Sequence, residues 1–112
     1  MSQKVEETLN RIKTHKGVKG VIIVNLKGVA IRSTMDQEST INYGSLINQF
    51  TTNSQRAIKM MHPDEDVMFI RIRSVMYEIM IAPDKEFQLI VIQDPSNDGS
   101  FDDGPLGNPL KH

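Results

Sequence analysis

Two short runs of the sequence, residues 21–24 (VIIV) and 89–92 (LIVI), are apolar at every position. Successive side chains of a β-strand point to opposite faces of its sheet, so a strand with one wet face alternates apolar and polar residues. An unbroken apolar run therefore predicts a strand that is buried on both faces. Any fold for this chain has to cover both sides of a sheet, at least around its central strands.

Two segments have the spacing of amphipathic helices, in which apolar residues recur three or four positions apart. Val5, Leu9 and Ile12 predict a short first helix that ends near Gly17, since glycine is common just after a helix C-terminus. A long second helix follows several candidate N-cap residues between positions 33 and 39 and stops at Pro63. Its apolar stripe consists of Tyr43, Leu46, Ile47, Phe50, Ala57, Ile58 and Met61.

The remaining segments predict five strands. Residues 21–24 and 29–31 form a hairpin, in which Gly28 supplies the positive φ that the turn needs. Three further strands form a meander at residues 67–73, 76–82 and 87–93.

The predicted fold class is α+β, with a five-stranded antiparallel sheet and helices on both faces. A chain of 112 residues suits one domain, which is predicted to span residues 1–95. Residues 96–112 are rich in Gly, Pro, Asn and Asp. They have too little apolar surface to offset the entropy of ordering, and the prediction is a disordered tail.

The third and fourth strands also predict a register. A two-residue turn at positions 74–75 places Arg71 opposite Glu78, and facing opposite charges stabilise a sheet. The same register places Phe69 opposite Met80. This face is part apolar and part charged, a composition typical of a protein-binding surface. The other face is predicted to pack under the long helix and consists of Met68, Ile70, Ile72, Tyr77, Ile79 and Ile81.

Composition excludes several classes of function. The chain has 13 Lys and Arg residues and 14 Asp and Glu residues, a net charge of -1. It therefore lacks the excess of basic residues that binding to nucleic acid or to an anionic membrane requires. The chain has no cysteine, which excludes disulfide scaffolds, cysteine-type zinc sites and thiol enzymes. The N-terminus is polar and the apolar runs are short, which predicts a soluble intracellular protein.

No group of residues has the spacing of a catalytic or metal site. His15, His62 and His112 are far apart in the sequence and are interpreted as surface residues. The acidic loop 64–66 lacks the spacing of an EF-hand, and residues 17–20 lack the Lys-Ser/Thr pair of a phosphate loop. The sequence therefore predicts a protein that is not an enzyme and that needs no cofactor or metal.

In several segments the sequence resembles the roadblock light chains of dynein. The resemblance runs from about residue 5 to residue 95. It is carried by residues 5–9 (VEETL), 17–25 (GVKGVIIVN), 69–74 (FIRIRS), 78–85 (EIMIAPDK) and 89–93 (LIVIQ).

The resemblance implies a homodimeric adaptor. Two copies would join through the long helix and the third strand into one continuous ten-stranded sheet, and the dimer would bind a helical segment of the dynein intermediate chain. Carried onto this sequence, the expected dimer interface is Tyr43, Ile47, Phe50, Val67, Met68 and Ile70. The expected partner-binding residues, taken from the mixed sheet face and the first helix, are Leu9, Ile12, Phe69, Arg71, Arg73, Glu78 and Met80.

Two features depart from the family pattern. The segment 75–77 is apolar, where the family is usually polar and basic, and the tail after Pro95 is an extension. Both leave the choice of partner open. The intermediate chain could be that of a cytoplasmic or of an axonemal dynein, and the dimer could be a homodimer or a heterodimer with a paralogue. The alternative function is a roadblock-like scaffold that regulates a small GTPase.

Overall fold

A computed structural model describes residues 3–95 of the chain. In chain order the elements are α1 (Gln3–Ile12), β1 (Val18–Asn25), β2 (Ala30–Ser33), α2 (Gln37–Met61), β3 (Ile70–Arg73), β4 (Glu78–Pro83) and β5 (Phe87–Gln93). The predicted α+β class and the predicted order of elements are confirmed. The predicted tail, residues 96–112, lies outside the described residues.

The five strands form one antiparallel sheet in the order β2-β1-β5-β4-β3. The two apolar runs, residues 21–24 and 89–92, pair directly with each other, because β1 and β5 are neighbours and Ile22 lies opposite Ile90. β5 comes last among the strands but occupies the middle of the sheet. The strands β2 and β3 are the two edges.

Each face of the sheet has its own apolar core. On one face α1 places Val5, Leu9 and Ile12 against side chains of β1, β4 and β5. On the other face α2 contributes Ile47, which packs with four isoleucines and Val24 from the alternate positions of the same strands. Both faces of the central strands are therefore covered, as the unbroken apolar runs predict.

The long helix lies close to the β1–β2 hairpin because it carries a glycine there. Gly28 has a φ of 85° in the hairpin turn, as predicted. A Cβ atom at Gly44 would lie 3.0 Å from the carbonyl oxygen of Gly28 and 3.3 Å from Cγ1 of Val24. The amide of Gln88, on β5, adds a hydrogen bond to the Oδ1 atom of Asn48 at 2.8 Å. These contacts fix the N-terminal half of α2 over the sheet.

Three predictions about element bounds are wrong. α1 ends at Ile12 instead of near Gly17, and Gly17, with a φ of 87°, leads into β1. The third strand begins at Ile70 instead of residue 67, and Met68 is exposed. The β3–β4 turn spans four residues, closed by a hydrogen bond from the backbone N–H of Ser74 to the carbonyl oxygen of Tyr77 at 2.8 Å.

The longer turn shifts the β3–β4 register by two residues. Arg73 lies opposite Glu78 and Arg71 lies opposite Met80, so the predicted facing pairs are wrong. A shift of two residues keeps every side chain on its predicted face, because side chains alternate with a period of two. Ile70, Ile72, Ile79 and Ile81 therefore do pack on the α2 side. Tyr77 is in the turn and is exposed.

Asp36 caps the N-terminus of α2. Its Oδ2 atom accepts a hydrogen bond from the backbone N–H of Ser39 at 3.0 Å. That bond, assisted by the Ser39 hydroxyl, holds the pKa of the Asp36 carboxyl below its ordinary value of 3.8. The ionised Asp36 carboxylate therefore stabilises the folded state fully at pH values above its ordinary pKa. This stabilisation is lost as the pH falls through the lower pKa that the group has in the folded state.

We expect Asp36→Ala to lower the urea midpoint of unfolding at pH 7, because it removes the acceptor for one of the unbonded N–H groups of the first helical turn. Asp36→Asn is the matched control, since asparagine caps about as well without a charge. Urea titrations at pH 7 and pH 3 measure the effect. The difference between the wild type and Asp36→Ala should shrink at pH 3, and a constant difference would contradict the role of the carboxylate.

Candidate protein-binding surfaces

The mixed sheet face that was predicted to meet a partner holds an interior ion pair. Nη2 of Arg71 donates to Oε1 of Glu78 at 3.3 Å, diagonally across β3 and β4. The same carboxylate oxygen accepts from Nε2 of Gln93 at 2.6 Å. The side chains of Arg71 and Glu78 are 10% and 1% exposed. This polar network links three strands inside the fold.

Most of the predicted partner-binding residues take part in the core on the α1 face. Leu9, Ile12 and Met80 are buried there, and Phe69 is half-buried and packs against them. Glu78, another of the predicted residues, is buried as well. Arg73 and Phe69 keep partly exposed surface at the edge of the sheet.

The predicted dimer residues divide in a similar way. Ile47 is buried, and Tyr43 and Ile70 are half-buried against the core under α2. The half-buried Val67 donates its backbone N–H to Oε1 of Gln55 at 3.0 Å, which ties the segment before β3 to the long helix. Phe50 and Met68 are the two members with large exposed side chains.

One side of α2 is apolar and faces solvent. Thr40, Gly44, Ile47 and Thr51 supply the buried positions of this helix, so part of the predicted stripe lies outside the core. We call the exposed part the α2 flank; it consists of Leu46, Phe50, Ala57 and Met61. Leu46 is 64% exposed and Phe50 is 44% exposed. Steps of four, seven and four residues keep these side chains on one side of a helix, as in helices that pack against another helix.

The outer side of β3 pairs with no other strand among residues 3–95. A free strand edge is a template for pairing with another chain, and proteins normally cover it, twist it away or charge it. Here β3 is half-buried along its length and is preceded by the exposed Met68. The structure thus places β3 at an edge of the sheet, a position from which it could join a second copy as the resemblance implies.

A second exposed apolar patch lies in the β3–β4 turn. Val75 is 91% exposed, Met76 is 66% exposed and Tyr77 is 44% exposed. Nζ of Lys19 lies 5.4 Å from the centre of the Tyr77 ring and 3.1 Å from Oδ1 of Asp94. From the sequence, this segment is a departure from the family pattern, and Tyr77 is expected to pack under the long helix. A run of three apolar residues in a turn is the signal that could have identified it as a surface.

Two structural features are absent from the described part of the chain. Within residues 3–95, no three His, Asp or Glu side chains come together as a group that could hold a metal ion. No helix in this range combines the length and apolar character needed to cross a membrane.

Comparison with known proteins identifies the fold. The chain has 18% sequence identity with MglB of Myxococcus xanthus, with a TM-score of 0.73, over 88% of this chain and 80% of that one. A Roadblock/LC7 domain from Streptomyces avermitilis gives a TM-score of 0.70 at 10% identity, over 76% and 72% of the two chains. A structure of MglB with a tetrameric arrangement gives 0.63 at 12% identity, over 80% and 66%.

Sequence comparison gives the family itself. The family model of the Roadblock/LC7 domain matches residues 4–94, nearly all of the part that the structure describes. The bounds of this match agree with the range of the resemblance noted from the sequence. The chain belongs to the Roadblock/LC7 domain family.

Proposed function

We propose that this chain is a non-catalytic light chain of a dynein motor complex, which forms a homodimer and binds the intermediate chain. The proposal has two parts, self-association and the identity of the partner. The observation that carries the first part is the combination of the outer β3 edge, which pairs with no other strand among residues 3–95, with the apolar α2 flank. The second part is supported by the sequence resemblance in the region of residues 69–85, where residues 69–74 and 78–85 carry it.

Self-association covers both exposed features at once. Pairing of β3 with a second β3 across a two-fold axis extends the five-stranded sheet of each copy. The α2 flank of one copy, with Leu46 and Phe50, then supplies apolar surface for the helix of the other. A tetrameric arrangement in a protein of the same fold supports self-assembly as a use of this architecture.

The intermediate chain is proposed to bind as a helical segment next to the sheet edge. Phe69 and Arg73 are the predicted contact residues that stay partly exposed there. An apolar ring and a cation along the same sheet edge suit an amphipathic helix, which offers an apolar stripe and acidic side chains. This light chain would then work with microtubule-based motors of the cytoplasm or of the axoneme.

Light scattering on the purified chain tests both parts. Alone, the protein should have about twice the mass of the 12.7 kDa chain, because two β3 edges and two α2 flanks cover each other. Addition of a helical intermediate-chain segment should raise the mass further. A Phe69→Ala and Arg73→Ala double variant should keep the dimer and lose the segment.

Two outcomes would contradict the proposal in different ways. A stable monomer would remove the argument from the paired edge. A dimer that ignores every intermediate-chain segment would keep self-association and reject the dynein partner.

The second candidate is a scaffold that regulates a small GTPase. It is favoured by the apolar turn that contains Val75 and Met76, because the light chains that the sequence resembles are usually polar and basic there. Affinity capture with the purified dimer, in the presence of GDP and of a non-hydrolysable GTP analogue, separates the two candidates. Nucleotide-dependent capture of a GTPase supports the scaffold, and capture of the intermediate chain in both conditions supports the light chain.

A further inference from the structure

The chain carries all of its sulfur in methionine side chains, because it has seven methionines and no cysteine. An oxidant such as hydrogen peroxide converts the methionine thioether to a sulfoxide. This reversible change turns a flexible apolar side chain into a polar one. Where the fold exposes methionine therefore determines which surfaces an oxidant changes.

The fold separates the methionines of residues 3–95 by exposure. Met80 is 0% exposed in the core on the α1 face, with its Sδ atom 3.7 Å from Nη2 of Arg71. Met35 is half-buried against the core under α2. Four others are between 64% and 81% exposed: Met60, Met61, Met68 and Met76. Peroxide in solution can therefore reach these four side chains in the folded chain, whereas Met80 is protected.

Two of the exposed methionines lie on the surfaces through which the chain is proposed to self-associate. Met61 is the last residue of α2 and belongs to the α2 flank. Met68 lies two residues before the start of β3, the edge strand. The backbone N–H of the preceding residue, Val67, donates to Oε1 of Gln55 at 3.0 Å, which holds this stretch of chain against α2. A second copy that covers the α2 flank and the β3 edge would cover both methionines.

The other two exposed methionines lie elsewhere and provide internal controls. Met60 precedes Met61 directly, but successive residues of an α-helix are rotated by about 100°, so its side chain points away from the α2 flank. Met76 is in the turn between β3 and β4. Both are at least as exposed as Met61 in the single chain. A difference in their behaviour would therefore report on the location of the side chain, since all four are accessible methionines.

We propose that Met61 and Met68 are oxidation sites that control self-association of this chain. One oxygen atom of hydrogen peroxide forms a bond to the sulfur as the O–O bond breaks. The sulfur is oxidised by two electrons, and the second oxygen leaves as water. The new sulfoxide oxygen is a hydrogen-bond acceptor that has to lose its water when a second copy covers it. Oxidation therefore favours the monomer.

Pairing and oxidation compete for the same two side chains. In the dimer both thioethers are covered, so the copies that react are the monomers in equilibrium with it. Dilution raises the share of monomers by mass action and should therefore speed the reaction. This inference rests on the proposed self-association and adds a form of regulation to it.

Rates of oxidation, followed residue by residue with tandem mass spectrometry, locate the sites. Sedimentation of the untreated full chain first gives the dissociation constant of the dimer. Hydrogen peroxide is then added to samples well above and well below that concentration. Met61 and Met68 should react more slowly in the concentrated sample, whereas Met60 and Met76 should react equally fast in both. Met80 should stay reduced in both, which shows that the fold is intact.

A matched pair of double variants tests the effect on the dimer. Met61→Leu with Met68→Leu keeps the size and the apolar character of both side chains, and its dimer should be equally strong before and after peroxide. Met60→Leu with Met76→Leu keeps both proposed sites. Its dimer should weaken on the order of tenfold or more after peroxide, as in the wild type. Methionine sulfoxide reductases A and B together should restore it, since each reduces one epimer of the sulfoxide.

Several results would overturn the proposal. The oxidised wild-type dimer could keep its strength, or the variant without Met61 and Met68 could weaken to the same extent. Met61 and Met68 could react equally fast in dimeric and dilute samples. Dissociation that begins only when Met80 is oxidised would report unfolding of the chain. A chain that is monomeric before peroxide is added would instead contradict the proposed self-association, so the untreated sample distinguishes the two failures.

Discussion

Arg71→Met is expected to lower the free energy of unfolding by about 3–5 kcal/mol, the range for removing one partner of a buried ion pair. Glu78 would stay in the interior with its side chain 1% exposed. Of the two donors that the structure places on its Oε1 atom, only the neutral amide of Gln93 would remain. Methionine keeps most of the volume of the arginine stem, so the loss reports mainly on the uncompensated charge.

Urea unfolding followed by circular dichroism measures this effect. The matched control is Lys19→Met, which breaks the pair between Lys19 and Asp94, whose side chains are 48% and 57% exposed. Exposed pairs contribute less than about 1 kcal/mol, so the control should unfold almost as the wild type does. The double variant Arg71→Met and Glu78→Met should recover most of the loss, because no charge stays buried. A similar small loss in Arg71→Met and in the control would contradict the interior role of this pair.

Phe50→Asp is expected to weaken self-association at least about 30-fold, since an aromatic residue at the centre of an interface commonly contributes 2 kcal/mol or more. Phe50 lies in the middle of the α2 flank with Leu46 one turn before it. A carboxylate at this position would have to lose its water when a second flank covers it. The folded monomer should tolerate the change, because the side chain is 44% exposed.

Sedimentation over a dilution series measures the dissociation constant. Gln49→Asp is the matched control, because it adds the same charge one residue away on the polar face of α2. It should dimerise like the wild type, and both variants should keep the circular dichroism spectrum of the native fold. A dimer of unchanged strength in Phe50→Asp would place the interface elsewhere, with the β3 edge as the remaining surface.

The architecture could be predicted because its main signals are local. The apolar runs at residues 21–24 and 89–92 indicate strands covered on both faces, and the helix spacing supplies the two covers. The β3–β4 register could not be predicted in the same way. A shift of two residues leaves Ile70 and Arg71 on the same faces, so the apolar pattern is equally good in both registers. The turn decides between them, through the hydrogen bond of Ser74 to Tyr77.

The candidate surfaces were harder to predict because exposure is a property of the whole fold. In the sequence, Arg71 and Glu78 have the pattern of a partly charged outer face of the sheet. In the fold, α1 packs on that face and the amide of Gln93 bonds to Glu78, so the ion pair is buried. The helical stripe through Phe50 was visible in the sequence. Which of its members stay outside depends on the glycine at position 44, which lets another side of α2 approach the hairpin.

The position of β5 has a consequence for synthesis on the ribosome. The β1–β2 and β3–β4 hairpins are complete before Phe87 leaves the exit tunnel, but they are not neighbours in the sheet. Until β5 emerges, β1 and β4 each have an open edge where the finished sheet has a ladder. Open strand edges are the parts of a nascent chain that aggregate most readily. The last strand to be made therefore joins two half-sheets, and a chain shortened before it would keep both edges exposed.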